Sequence, residues 1–273
     1  ARNEQIVEIR INYSNERNKL LEEELEKRFP LREAVVVNTS YSSYIDGLAQ
    51  IGEVGANYLA RLLTPGAVLG VTWGKTLQSV ISRLPNMNYN PIKVVQLTGY
   101  FKMMNAAVDT RALVQAAALN CRGEYYYLDA PLYVSNPELK QLLYHETVIA
   151  QSLEQTRALD VVASGIGGLS SLPLRNHMVK PYITAEDVKK ESSCIGSLYG
   201  YVLDEEGNEA DLDLNHKIIS AKLSDILAAP YRLVVACGRH KVQVLKKAAE
   251  KGWYNVLITD ADTAANLVEA AGI

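Results

Sequence analysis

Four stretches of this 273-residue chain combine glycine with hydroxyl, amide or amine side chains directly after a short apolar run. In the first, residues 70–76 (GVTWGKT), the apolar run leads into two threonines, a glycine and a lysine. Backbone amides, hydroxyl groups and an ammonium group are the donors that a phosphate monoester needs. The stretch does not match GxxxxGK[ST], so it does not predict a nucleoside triphosphate site. The alternative is an ordinary turn with a packed tryptophan.

The other three stretches have related compositions. Residues 96–100 (QLTGY), with Asn105 nearby, offer amide and hydroxyl groups suited to sugar hydroxyls, or simply close a strand. Residues 164–171 (SGIGGLSS) let a ligand approach the backbone, but they lack the third glycine of a dinucleotide fingerprint. Residues 236–241 (ACGRHK) place a lysine at the start of a helix. Two lysines among hydroxyl-rich neighbours together favour a sugar phosphate as the ligand.

Side chains for acid–base, nucleophilic or metal chemistry are scattered. The four histidines occur in no Ser/His/Asp or metal-binding pattern, and the three cysteines have no zinc-binding spacing. Single acids at Asp109, Asp204 and Asp260 form no carboxylate pair for proton abstraction. The sequence therefore predicts no catalytic residue, no metal and no cofactor, and it predicts that the cysteines are buried free thiols.

Continuously apolar runs such as VVV, VVA and LVVA alternate with helical patterns along the chain. Such runs are typical of parallel strands covered by helices on both faces. The pattern predicts an α/β fold with a doubly wound, mostly parallel sheet, and residues 192–208 predict a small inserted hairpin element. Ligands of such sheets bind outside the carboxyl ends of the strands, which is where all four stretches fall.

Three further elements are predicted near the chain ends and middle. Residues 5–12 alternate in polarity and predict a strand, after which Ser14 is expected to cap a helix that ends before Pro30. Residues 137–154 predict one long helix.

The composition excludes several classes of protein. A formal net charge of −3, from 28 basic and 31 acidic residues, has the wrong sign for a bare DNA-binding module. No stretch approaches the roughly 20 apolar residues that span a bilayer, and the N-terminus has no signal-peptide pattern. We therefore expect a cytoplasmic protein that does not bind membranes.

Seven segments resemble the sugar-binding effector domain of SorC/DeoR-type bacterial transcriptional regulators, in the same order over nearly the whole chain. They are GVTWGKTL (70–77), VVQLTG (94–99), SGIGG (164–168), GYVLDEEGN (200–208), LNHKIIS (214–220), CGRHKVQVL (237–245) and VLITDADTAANL (256–267). The resemblance implies one effector domain over residues 1–273, with a fold similar to ribose-5-phosphate isomerase and glucosamine-6-phosphate deaminase. It also implies that a DNA-binding helix-turn-helix precedes Ala1.

The resemblance implies a set of ligand-binding residues. The phosphate would be held by Thr72, Gly74, Lys75, Thr76 and Lys241, and the sugar by Gln96, Thr98, Gly99, Asn105, Gly165, Gly167 and Ser197. Two positions depart from the family pattern. Thr98 is neutral where relatives can carry a cationic residue, so no Schiff base can form there, and Ser197 stands where relatives often carry an acid.

The function implied is non-covalent binding of a phosphorylated sugar, which alters the DNA binding of a homodimeric or homotetrameric regulator. Operator DNA would be bound through the helix-turn-helix outside this chain. An isomerase or deaminase on the same fold is the enzymatic alternative, and an oligomerisation module with an empty pocket is a third.

Overall fold

The computed structural model describes residues 17–38, 44–87, 91–101 and 109–272. The predicted strand at residues 5–12, the predicted cap Ser14 and the predicted ligand residue Asn105 lie outside these ranges. Helix α1 (Lys19–Arg28) begins after Asn18, whose side chain accepts the backbone N–H of Leu21 at 3.2 Å. It ends before Pro30, as its sequence predicts.

Seven parallel strands form the main sheet and confirm the predicted fold class. Their order across the sheet is β1 (Glu33–Val37), β10 (Val256–Asp260), β9 (Tyr231–Val235), β5 (Val161–Ser164), β2 (Val68–Val71), β3 (Lys93–Gln96) and β4 (Glu124–Tyr126). The six strand pairs are all parallel. The chain moves outward from β2 to β4, returns to β5 beside β2, and then continues through β9 and β10 in the opposite direction.

Helices cover both faces of this sheet. Besides α1, the described α-helices are α2 (Tyr44–Leu62), α3 (Lys75–Ile81), α4 (Thr110–Asn120), α5 (Pro137–His145), α6 (Thr147–Gln155), α7 (Ala185–Lys190), α8 (Asp213–His216), α9 (Leu223–Ala228), α10 (Val242–Glu250) and α11 (Ala261–Ala271). Helices α1, α10 and α11 contribute to the core cluster on one face, and α2, α3 and α4 to the cluster on the other. Strand β1 is continuously apolar because both of its faces are buried. Val36 packs into one core cluster, and Val35 and Val37 pack into the other. No helix of the described ranges is long and apolar enough to cross a bilayer.

The prediction of a single helix over residues 137–154 is wrong. Glu146 adopts an extended backbone conformation (φ −64°, ψ 131°) and separates α5 from α6. The break allows α6 to bury Ile149 and to place Ser152, whose hydroxyl donates to the carbonyl of Tyr127 at 2.6 Å. Helix α5, in contrast, has no buried residue.

A second, antiparallel sheet consists of β6 (Gly167–Gly168), β7 (Cys194–Leu198) and β8 (Tyr201–Asp204). Strands β7 and β8 form the hairpin predicted for residues 192–208, whereas β6 comes from the predicted glycine loop. Tyr199 and Gly200, both with positive φ (54° and 92°), form the tight turn between β7 and β8. The three cysteines, Cys121, Cys194 and Cys237, are buried free thiols, as predicted.

Candidate functional site

Strands β3 and β4 extend the sheet on one side of β2, whereas β5, β9 and β10 extend it on the other side. The order of the strands therefore changes direction between β2 and β5, and we call the carboxyl edge of the sheet at this place the switch point. Pairing of Val71 with both Gln96 and Ala163 brings the ends of β3, β2 and β5 to one level, and Ser164 pairs with Val234 of β9. The four glycine-containing stretches therefore follow four adjacent strands. In open α/β sheets, ligands bind outside the carboxyl ends of the strands at such a switch point.

Two hydroxyl groups meet at the switch point itself. Thr72 follows β2 and Ser164 ends β5, and their Oγ atoms lie 2.7 Å apart in a buried hydrogen bond. Ser164 Oγ also lies within 2.7 Å of the carbonyl oxygen of Gly165, to which it donates. The sequence analysis assigns Thr72 to the site but gives Ser164 no ligand contact, although that serine is the first residue of the SGIGG segment.

The loop after Thr72 contains an open backbone position. Gly74 has a φ of 135°, which favours glycine, and no atom lies within 4 Å of the place where a Cβ would stand. Lys75 is exposed at the start of α3, whereas Thr76 is buried. Neither the ammonium group of Lys75 nor the hydroxyl of Thr76 forms a hydrogen bond with a described residue, so both can serve a ligand.

The end of β3 holds buried polar groups without partners. Gln96 donates from Nε2 to the carbonyl of Thr98 at 2.6 Å, while its Oε1 atom and the hydroxyl of Thr98 have no hydrogen-bond partner among the described residues. The backbone N–H of Gly99 donates to the carbonyl of Ile219 at 2.8 Å and is therefore occupied within the protein. Its Cα lies so close to Pro131 that a Cβ would stand 2.3 Å from that carbonyl oxygen.

The glycine loop after β5 lies against the small sheet. Gly167 pairs with Ser197 of β7, and a Cβ on Gly167 would come within 2.9 Å of the Ser197 hydroxyl oxygen. A Cβ on Gly168 would come within 2.6 Å of the carbonyl oxygen of His240, which precedes Lys241. The structure thus brings Gly165, Gly167, Ser197 and the loop of Lys241 together.

Lys241 follows β9 on the other side of β5. Its side chain forms neither a hydrogen bond nor an ion pair with any residue in the described ranges. Burial lowers the pKa of this ammonium group, while Cys237 and Asp260 act in the opposite direction. No described residue forms an ion pair with this partly buried cation, and Asp260 acts on it only from beyond that distance, so its charge is incompletely compensated and favours the binding of an anion.

A cleft of about 460 Å³ opens to one side of the switch point, at the ends of β9 and β10. Its lining includes Gly238, Asp260 and Thr263, and none of the predicted ligand residues. The Asp260 carboxylate accepts the backbone N–H of Thr263 at 2.6 Å, and the Thr263 hydroxyl oxygen accepts the backbone N–H of Gly238 at 2.7 Å. These groups are satisfied by the helix cap, so we place the candidate site at the switch point and not in this cleft.

Comparisons with known proteins agree with this architecture. A family model described as "Putative sugar-binding domain" matches residues 13–269. The sorbitol operon regulator of Klebsiella pneumoniae is 26% identical over 271 residues, which cover 98% of this chain and 86% of that protein. The transcriptional regulator LsrR of Escherichia coli is 25% identical over 269 residues, covering 97% of this chain and 82% of LsrR.

A solved structure gives the same result. The full-length sorbitol operon regulator SorC from Klebsiella pneumoniae superposes with a TM-score of 0.86 and 26% identity, over 96% of this chain and 84% of that one. These relatives are transcriptional regulators, and they lend no support to the isomerase or deaminase alternative. The chain belongs to the family of sugar-binding domains found in SorC/DeoR-type transcriptional regulators.

Proposed function

We propose that this domain binds a phosphorylated sugar non-covalently at the carboxyl ends of β9, β5, β2 and β3. The observation that carries the proposal is Lys241, a partly buried ammonium group that forms no hydrogen bond or ion pair with a described residue and that Asp260 faces only from beyond ion-pair distance. A phosphate group is small and dianionic, and it would supply the missing charge. Lys75, the other cation near the switch point, is exposed and could reach the same anion.

The proposed contacts divide between the two parts of the ligand. The phosphate would be held by Thr72, Gly74, Lys75, Thr76 and Lys241, and the sugar hydroxyls by Gln96, Thr98, Gly99, Asn105, Gly165, Gly167 and Ser197. The unpartnered Gln96 Oε1 and Thr98 hydroxyl support the assignment of the sugar to the β3 side. The N–H of Gly99 is already bonded, so that residue would act through close backbone approach.

A thermal-shift and calorimetric panel tests the proposal. Hexose and pentose phosphates, the matching unphosphorylated sugars and inorganic phosphate would be titrated into the protein. We expect at least one sugar phosphate to raise the melting temperature beyond the shift given by inorganic phosphate and by its parent sugar. If no sugar phosphate exceeds both controls, the proposed function is wrong.

We also propose that the ligand acts in the cytoplasm on a homodimer or homotetramer, changing how an attached helix-turn-helix meets operator DNA. Such a change requires that the ligand bind one arrangement of the oligomer more tightly than another. Sedimentation velocity with and without the tightest sugar phosphate should show a shift in mass or shape. Unchanged sedimentation, together with unchanged operator affinity of the full-length regulator, would contradict this step.

A further inference from the structure

The two tryptophans of the chain, Trp73 and Trp253, have opposite environments. Trp253 is buried, stacks on Tyr199 and donates its indole N–H to the carbonyl of Gly207 at 2.9 Å. Trp73 is only half-buried, and its indole N–H makes no hydrogen bond with a described residue. The indole N–H of a buried tryptophan normally finds a hydrogen-bond acceptor. Trp73 therefore offers a ligand part of its ring surface and one hydrogen-bond donor.

The position of Trp73 places that ring at the switch point. It lies between Thr72, which is bonded to Ser164, and Gly74, whose surroundings are open. Its carbonyl oxygen is 3.7 Å from the point where a Cβ on Gly165 would stand, so the loops after β2 and β5 approach each other here.

The ring also reaches the small antiparallel sheet. Atom Cη2 of Trp73 lies 3.5 Å from the point where a Cβ on Gly200 would stand, and the methyl group of Thr98 lies 3.6 Å from the same point. The indole therefore meets the turn of the β7–β8 hairpin and the end of β3 at one place. The side chain packs against the core and stays partly accessible.

From this arrangement we infer that Trp73 is a ligand-binding residue whose indole packs on the C–H face of a cyclic sugar and donates its N–H to a ring hydroxyl. The inference rests on the proposed function and adds the class of sugar to it. A pyranose or furanose ring presents a flat apolar face of C–H groups, which an aromatic ring covers well. An open-chain sugar phosphate presents no such face, and inorganic phosphate presents none at all.

The test compares Trp73→Leu and Trp73→Phe with the unaltered chain, by calorimetry against glucose 6-phosphate, fructose 6-phosphate, sorbitol 6-phosphate and inorganic phosphate. For the cyclic phosphate that binds best, we expect Trp73→Leu to weaken affinity roughly tenfold, and Trp73→Phe, which keeps an aromatic ring, to weaken it less. Affinity for inorganic phosphate should stay within about twofold in both variants. The same cyclic ligand should change the intrinsic fluorescence of the unaltered chain but not that of Trp73→Phe, in which only Trp253 emits.

The outcomes separate the two claims. Unaltered affinity of Trp73→Leu for the cyclic phosphate overturns the role of Trp73 and leaves the proposed function standing. An equal loss for all four compounds shows a purely structural role, and an equal loss for the cyclic and open-chain phosphates overturns the cyclic class. If the unaltered chain binds none of the sugar phosphates more tightly than inorganic phosphate, the proposed function fails and this inference fails with it.

Discussion

At the scale of single residues, the site is marked by polar groups whose bonding is incomplete. Thr72 and Ser164 bond to each other, whereas Gln96 Oε1, the Thr98 hydroxyl and the Lys241 ammonium form no hydrogen bond with any residue of the described ranges. A folded protein pays for such groups in stability, because each loses its hydration without gaining a full set of bonds. Two of these groups lie at the end of β3 and the third follows β9. If the proposed ligand binds between them, stability is exchanged for affinity at these positions.

Replacement of Lys241 should raise the stability of the ligand-free protein and weaken ligand binding. We expect Lys241→Met to raise the melting temperature of the ligand-free protein, since the variant removes a partly buried cation that forms no ion pair with a described residue. Affinity for the sugar phosphate should fall at least tenfold, because a hydrogen bond to a charged group contributes about 1.5–3 kcal/mol. Thermal denaturation and calorimetry measure the two effects, and Lys251→Met, at an exposed lysine just after α10, is the matched control. A Lys241→Met protein that is less stable and binds normally would contradict the proposed role.

Ligand binding should also depend on pH through Lys241. Burial lowers the pKa of the free ammonium group, and a bound phosphate would raise that pKa again. Between the two pKa values the complex holds a proton that the free protein has lost, so affinity should fall as the pH rises through this range. Calorimetry in buffers of different ionisation enthalpy should show proton uptake on binding at alkaline pH. Lys241→Arg, which stays charged, should abolish this uptake, and uptake that persists in the arginine variant would assign it to another group.

At the scale of elements, the buried side chain of Asn215 holds one strand of the β7–β8 hairpin. Asn215 donates to the carbonyls of Val202 and Ala210 at 3.0 and 2.8 Å, and its Oδ1 accepts the N–H of Val202 at 2.9 Å. This amide fixes β8, and through the Tyr199–Gly200 turn it fixes the surface that Trp73 contacts. The LNHKIIS segment around Asn215 thus supports the candidate site through the hairpin, although it contributes no predicted ligand-binding residue.

Truncation of this amide should loosen the hairpin. We expect Asn215→Ala to lower the free energy of unfolding by about 3 kcal/mol, because three buried backbone groups lose their partner. Urea denaturation measures the change. Asn57→Ala, at an exposed asparagine of α2 whose side-chain contact to Glu53 is 3.5 Å long, should change stability by less than about 0.5 kcal/mol. Equal effects of the two substitutions would show that the Asn215 amide does not hold the hairpin.

The elements also show what local sequence could and could not predict. Strand and helix positions were predictable wherever apolar periodicity was strong, as in Val256–Asp260 and Val242–Glu250. The break at Glu146 was not, because residues 137–154 keep a helical pattern and the reason for the break is tertiary: Ser152 must reach Tyr127 across the fold. The contact of Trp73 with the Gly200 turn joins residues more than a hundred positions apart, and no local pattern predicts such a contact.

At the scale of the whole molecule, the strand order places loops from distant parts of the sequence side by side at the candidate site. The sequence predicted that the four stretches share a sheet edge, and the order β9-β5-β2-β3 makes them neighbours. The strand order changes direction between β5 and β2, which is the place where open α/β sheets usually bind their ligands. The order itself was not predictable from composition, since any arrangement of parallel strands would give similar apolar runs.

The same packing predicts how the molecule unfolds in alkali. Tyr133, Tyr199 and Tyr254 are buried, and burial raises their pKa values above the ordinary 10.0. Burial likewise raises the pKa of Tyr201 to about 12. In the unfolded chain these phenols ionise near pH 10, so above that pH the unfolded state binds fewer protons than the folded state and the free energy of unfolding must fall. The contribution of these groups is fully present below pH 10, and that of Tyr201 is lost between pH 10 and about 12.

We therefore expect one cooperative alkaline transition in which the circular dichroism of the fold disappears as the tyrosinate absorbance of the buried phenols rises. Tyr199→Phe should cost about 1 kcal/mol at neutral pH, because the hydroxyl bond to the carbonyl of Trp253 is lost. The free energy of unfolding of this variant should decline less steeply above pH 10 than that of the unaltered chain, since one buried phenol no longer drives unfolding. Parallel slopes for the two proteins would show that Tyr199 does not ionise with unfolding, and would place the alkaline sensitivity in other groups.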